Sequence, residues 1–188
     1  MILGSHNSWS YLPIKQWWLK PFSFIGRCQN LSIEKQYNKG VRCFDLRVRF
    51  NKSKIKVCHG YFQYDTDRDE LYYDLEWLNS KKDVLVRVIH EVRNKKQYTN
   101  YSFISFNNFC NYISVKYQNI RFWCGRNVYN WNIDYKFTFE PSCEEKYSSV
   151  CKPKIIDDWW PWLFAKLNNK RILEEKTDKD ILLIDFIN

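Results

Sequence analysis

Residues 40–60, GVRCFDLRVRFNKSKIKVCHG, restrict what this chain can fold into more than any other stretch. They hold two strand-like runs. In the first, Val41, Cys43, Asp45, Arg47 and Arg49 share one face under the two-residue period of a strand. Arg42, Phe44, Leu46, Val48 and Phe50 share the other, which is mostly apolar. The opposite face sets Asp45 beside Arg47. In the second run Ile55, Val57 and His59 share a face, and His59 closes the run just before Gly60. Two neighbouring strands thus aim an acid, a guanidinium and an imidazole at one spot. Two readings stay open here: a reactive site, and a structural ion pair with a surface histidine.

Both ends of the chain add to the first reading. The opening MILGSHNSWSYL places Ile2, Gly4 and His6 on one strand face, with Gly4 and Ser5 leaving room around the imidazole. The closing DILLIDFIN is too apolar for a solvent-facing strand and carries Asp185 on the face of Ile181 and Leu183. Four strand ends, far apart in sequence, each bear a polar residue among small or apolar ones. An α/β barrel enzyme builds its site from strand ends in this way.

Composition narrows the class. A length of 188 residues predicts one domain, 1–188. Eight-stranded α/β barrels usually take about 250 residues, so trimmed or missing helices are expected. The net charge of +9 favours an acidic partner, whether nucleic acid, anionic lipid or a phosphorylated small molecule. Helix-turn-helix, zinc-finger and RNP signatures are lacking, which argues against nucleic acid. The seven cysteines are odd in number and include no C-x-x-C pair, so a reducing compartment is expected. Cys43 and Cys58 read as buried thiols; a Cys143–Cys151 bridge is left open. With no signal peptide and no apolar run long enough to span a bilayer, the expected protein is soluble or peripheral to a membrane. It would then be cytoplasmic in the producing cell or released without a signal peptide.

Along the chain, residues 11–20 lie between Pro13 and Pro21 and read as a loop or one helical turn. Trp17 and Trp18 beside Lys15, Lys20 and Arg27 resemble a patch for an anionic membrane surface, with core packing as the other reading. A short helix is expected over 32–39, with Ser32 as N-cap and Gly40 after its end. Helical stripes follow within 64–80 and 102–116, and a strong amphipathic helix over 159–170, capped by Asp157 or Asp158. Strands are expected over 83–92, 119–128, 135–140 and 181–187. The acids at Asp65, Asp67, Asp69 and Glu70 lack the glycine and closing glutamate of an EF-hand and read as a solvated helix start.

LGSHNS, GVRCFDLRVRF, KVCHG and LLIDFIN, in this order, resemble the X-domain of phosphatidylinositol-specific phospholipase C in its bacterial, metal-independent form. The resemblance is dense over about the first 90 residues and at the last strand, and thin between. It implies a small, irregular TIM-like (β/α) barrel with trimmed helices. It also implies a phosphodiesterase that cleaves phosphatidylinositol or a related inositol lipid by attack of the inositol 2-hydroxyl on the phosphorus. The products would be cyclic inositol phosphate and diacylglycerol.

By motif match, His6 would be the general base and His59 the general acid. Arg47 would hold the phosphate oxygens, Asp45 would hold Arg47, and Asp185 would orient His6. Calcium-dependent relatives carry a carboxylate where this chain has Arg47, so no metal or other cofactor is expected. Asn7 departs from the bacterial pattern, which has Asp there to support the acid histidine; Asn brings no charge to an imidazolium. Asn7, Glu91, Arg126 and Glu140 are the candidate substrate contacts. The expected partners are an anionic phospholipid surface and an inositol lipid, and the expected state is a monomer. A non-catalytic inositol-lipid-binding module is the alternative, and a basic, aromatic nucleic-acid binder a third reading.

Overall fold

The alternation in residues 40–60 is realised as an antiparallel pair, β2 (Cys43–Asn51) and β3 (Lys54–His59), with Val48 opposite Val57 and Phe50 opposite Ile55. The computed structural model describes residues 2–51, 54–67, 69–91, 99–128, 132–134, 147–148, 160–174 and 181–187. Within them, β2 is the hub of a mixed sheet. It runs parallel to β1 (Ile2–Ser5) on one side and to β5 (Val84–Glu91) on the other. Beyond β1 lie β9 (Ile181–Ile184) and β8 (Tyr147–Ser148), and beyond β5 lies β6 (Ile120–Val128), all parallel. Two antiparallel pieces complete it: β4 (Phe62–Gln63) on β3 and β7 (Asn132–Asp134) on β6.

The fold is therefore α/β, but among the described residues the sheet does not close. Its strand order, β7-β6-β5-β2-β1-β9-β8, has two free edges. Six strands are mutually parallel, fewer than the eight of a (β/α) barrel. The edge strand beyond β6 is three residues long and antiparallel, so it cannot carry the parallel ladder round to β8. The barrel expected from the sequence is replaced by an open, curved sheet. The strand expected at 135–140, the caps Asp157 and Asp158, and the Cys143–Cys151 bridge lie outside the described residues.

The helices follow their sequence signals. α1 is the single turn Ser23–Gly26, directly after a 3-10 segment over Trp17–Phe22. α2 (Ile33–Asn38) is capped by the Ser32 hydroxyl, which accepts from Lys35 N, and Gly40 takes φ 94° just beyond it. α3 (Glu70–Asn79) buries Leu71, Leu75 and Leu78 at helical spacing. α4 (Asn100–Lys116) starts on a capping box between Thr99 and Ser102, which supplies the order that its aromatic, Asn-rich composition does not. α5 is Pro161–Glu174.

The outer face of the sheet forms the main core with these helices, through Phe44, Leu46, Val48, Val86, Val88, Phe106 and Phe122. The inner face has a smaller apolar floor of Cys43, Leu85, Trp123, Ile181 and Leu183. A Cβ at Gly4 would overlap the Leu183 side chain and come within 3.2 Å of Cys43 Cβ, so only glycine lets β1 lie on that floor. Above the floor the inner face turns polar. The register pairs Asp45 with Arg87, and the next inward residues along β2 and β5 are Arg47 and, further on, Glu91. This polar layer is the only part of the inner face that carries several buried charges among the described residues.

Candidate active site

Asp45 is the anchor. It has no exposed surface, and burial alone would raise its pKa. Arg47 and Arg87 outweigh that and hold the carboxyl well below the usual range. Oδ2 accepts from Arg47 Nε at 2.8 Å and from the Asn7 backbone N–H at 3.0 Å, while Oδ1 accepts from Arg87 Nη1 at 2.9 Å. One carboxylate thus fixes two guanidiniums and the end of β1.

Arg47 is fixed on three sides. Besides Asp45, its Nη1 donates to Glu91 Oε2 at 2.8 Å and its Nη2 lies 2.7 Å from His6 Nε2. A guanidinium only donates, so His6 Nε2 accepts and the ring proton sits on Nδ1. That nitrogen meets Asp185 Oδ1 at 2.7 Å. The bend after β9, where Phe186 takes φ 47°, brings Asp185 there. Gln29 ties the two strand ends together: its Nε2 donates to the carbonyls of His6 and Ile184, and its Oε1 accepts from Ile187 N.

His59 comes in from β3. Its ring centroid is 5.6 Å from that of His6, with the planes at 88°. Burial pulls its pKa down to about 4; Glu91 and Asp185 oppose this, and Arg47 and His6 add to it. His59 is therefore neutral at pH 7 in the ligand-free site. Its Nδ1 faces Cys28 Sγ at 3.9 Å.

The five residues expected to carry the chemistry, His6, Asp45, Arg47, His59 and Asp185, converge on one spot. The four expected substrate contacts do not. Glu91 is buried with both oxygens engaged, Oε2 by Arg47 and Oε1 by Gly60 N. It braces Arg47 against the turn after His59. Asn7 is fully buried, at φ 46°, and its amide donates to Tyr64 OH at 3.0 Å rather than facing substrate or His59. The Asp45 grip on its backbone N–H turns the side chain inward. Arg126 belongs to β6, opposite His90 and Asp134. Glu140 lies outside the described residues.

Arg87 and Cys28 were missed. Arg87 stands in an otherwise apolar buried strand, and a charge there requires a buried partner. That signal was legible. Cys28 lies in an irregular segment with no periodicity to betray its direction.

For a metal, the described residues offer His6, Cys28 and Asp185, whose ligand atoms lie within 4.8 Å of one another. Two of the three are already joined by a proton, and Arg47 places a fixed positive charge against the ring.

The aromatic segment after β1 lies at the rim of this site. Lys15 N donates to Gln63 O at 2.8 Å beside the His59 turn, and Cys28 O accepts from Phe186 N at 2.7 Å beside Asp185. Between these anchors Trp17 is 75% exposed and Trp18 58%. Phe24 packs on Trp160 at 5.5 Å between ring centroids, and Trp160 on Trp162 at 5.7 Å, so the start of α5 extends the same aromatic ridge. Lys15, expected in the cationic patch, is paired with Asp67.

The fold and site define a mixed α/β protein with a buried guanidinium clamped between two carboxylates and flanked by two histidines. Among solved structures it is similar to the phosphatidylinositol-specific phospholipase C from Listeria monocytogenes, with a TM-score of 0.56 and 13% identity over 100% of this chain and 88% of that one. It is also similar to a point mutant of the phosphatidylinositol-specific phospholipase C from Staphylococcus aureus, with a TM-score of 0.57 and 15% identity over 98% of this chain and 84% of that one. No family model and no curated protein matches the sequence. At such identities the likeness establishes a shared fold.

Proposed function

We propose that this chain is a phosphodiesterase of inositol lipids that forms cyclic inositol phosphate by attack of the substrate's own 2-hydroxyl. The observation that carries the reading is the pair of imidazoles at 5.6 Å around a guanidinium fixed by Asp45 and Glu91. A phosphodiester needs three things: a base for the attacking hydroxyl, an acid for the leaving oxygen, and a preplaced cation for the charge that grows between them. His6, with Asp185 behind Nδ1, presents Nε2 as the base. His59 on the other side is the acid. Arg47 binds the non-bridging oxygens.

The ligand-free state adds a condition. Arg47 Nη2 covers His6 Nε2, and His59 is neutral. An arriving phosphate anion competes for Arg47 and so uncovers the base. The same negative charge raises the His59 pKa and loads the acid with its proton. Both catalytic groups become competent when the substrate is in place.

Because Arg47 supplies the positive charge, the reaction is expected to run without metal. Purified protein incubated with phosphatidylinositol vesicles in excess chelator should release cyclic inositol phosphate at an undiminished rate. Activity that disappears in chelator and returns with calcium would overturn the assignment of Arg47. Saturable binding of the vesicles without any turnover would favour the non-catalytic module.

The exposed ridge of Trp17, Trp18, Phe24, Trp160 and Trp162 supports a peripheral membrane partner, with Lys20 and Lys166 supplying charge for anionic headgroups. Among the described residues no helix is long and apolar enough to cross a membrane. Burying one indole in the interface is worth about 1–2 kcal/mol. Trp17→Ala and Trp18→Ala should each weaken sedimentation with anionic vesicles by roughly tenfold. Hydrolysis of a water-soluble inositol phosphodiester should not change. Unaltered vesicle binding would assign the ridge another role.

A further inference from the structure

Cys28 is fully buried, yet most of its neighbours are polar. Asn7 Nδ2, His59 Nδ1 and Gly26 O each lie 3.9 Å from Sγ. The Asp185 carboxylate takes a hydrogen bond from the thiol. The directions of these bonds fix one another. Arg47 only donates, so His6 Nε2 accepts and Nδ1–H gives to Asp185. A carboxylate only accepts, so between Asp185 and Cys28 the S–H is the donor. Gly26 O is a neutral acceptor for the same S–H, and a charged one is stronger. With its proton given to Asp185, the sulfur can only accept, and what it accepts is His59 Nδ1–H.

We infer that Cys28 is a positioning residue that joins the two histidines into one hydrogen-bonded chain, running Arg47, His6, Asp185, Cys28, His59, and that it holds the His59 ring proton on Nδ1. Burial keeps the group a thiol by pushing its pKa well above the ordinary value. Cys28 is fully buried and His59 half-buried, so the side of the ring opposite the thiol is the open one. The proton that makes His59 an acid then enters at Nε2, facing the leaving group, with no rotation of ring or thiol. Sulfur is a weak acceptor, so it orients the imidazolium but stabilises it little. The charged and titratable groups around the ring are Glu91 on β5, Arg47 on β2, and His6 and Asp185 at the ends of β1 and β9.

The inference concerns the acid step of the reaction proposed above, yet its main test needs no turnover. Nitrogen-15 NMR of the imidazoles at pH 7, in the ligand-free protein, reads the tautomer directly. His59 should carry its proton on Nδ1 in the wild type and lose that preference in Cys28→Ala. Cys28→Asn should keep it, since the amide oxygen can accept from His59 while the amide nitrogen donates to Asp185. In turnover, Cys28→Ala should lower kcat about tenfold, part of what a general acid contributes, with KM little changed and the alkaline limb of the pH profile moved to lower pH. Cys28→Asn should recover most of the loss. A wild-type His59 protonated on Nε2, or a tautomer indifferent to Cys28→Ala, overturns the inference. The predicted tautomers in a protein that never cleaves inositol lipid would leave Cys28 as described and overturn the proposed reaction instead.

Discussion

His6→Ala and His59→Ala are each expected to lower the release of cyclic inositol phosphate by at least 10²–10⁴-fold, the usual contribution of a general base or acid, with folding unchanged by circular dichroism. The two losses should differ in kind. Removing His6 leaves the 2-hydroxyl without a base whatever the leaving group. Removing His59 matters only when the departing oxygen needs a proton. An inositol phosphodiester with an acidic aryl alcohol as leaving group should therefore restore much of the rate to His59→Ala and almost none to His6→Ala. The double variant should be little worse than the worse single one, because the residues act on one transition state as a unit. Near-normal turnover in either correctly folded single variant would end the two-histidine mechanism. Equal rescue of both by the aryl substrate would show that the roles are wrongly assigned.

Much of this site was legible because a strand's two-residue period survives folding. Asp45 and Arg47 are neighbours on one face whatever β2 pairs with, and the structure keeps them so at 2.8 Å. His6, His59 and Asp185 each close an apolar run, and strand ends meet at one edge of a parallel sheet. What failed was set by contacts between distant segments. Arg87 reaches Asp45 only through the register of β5 on β2. Glu91 looked like a hydroxyl ligand because the alternation placed it on the site's face, but its two oxygens are taken by partners 44 and 31 residues away. Asn7 was placed beside His59 by analogy of position. Its left-handed backbone turned the amide toward Tyr64, and the place next to His59 fell to Cys28. Closure of the sheet depended on the direction of its edge strands, which no local pattern carries.

Asp45→Ala is expected to cost about 3–5 kcal/mol, the usual penalty for leaving buried charges without their partner. Two guanidiniums, Arg47 and Arg87, lose their common acceptor, and so does the Asn7 backbone N–H. For a domain of this size that is a fall of roughly 6–20 °C in Tm. Asp45→Asn keeps the shape and one acceptor but not the charge, and should fall between. The pH dependence identifies the cause. A carboxyl held below its usual 3.8 contributes stability that is fully present above that pH and is lost as pH falls toward the folded value. Glu91 has the same sign, and so does His59, whose contribution fades from about pH 6.5 downward. The wild type should therefore weaken on acidification, first gently and then steeply below about pH 4. Asp45→Asn lacks the Asp45 part of that slope, so the gap in urea midpoint between the two proteins should be widest at neutral pH and shrink between about pH 4 and 2. A gap that stays constant down to pH 2 would mean that Asp45 does not hold Arg47 and Arg87 as an ionised carboxylate, and the phosphate clamp would need another anchor.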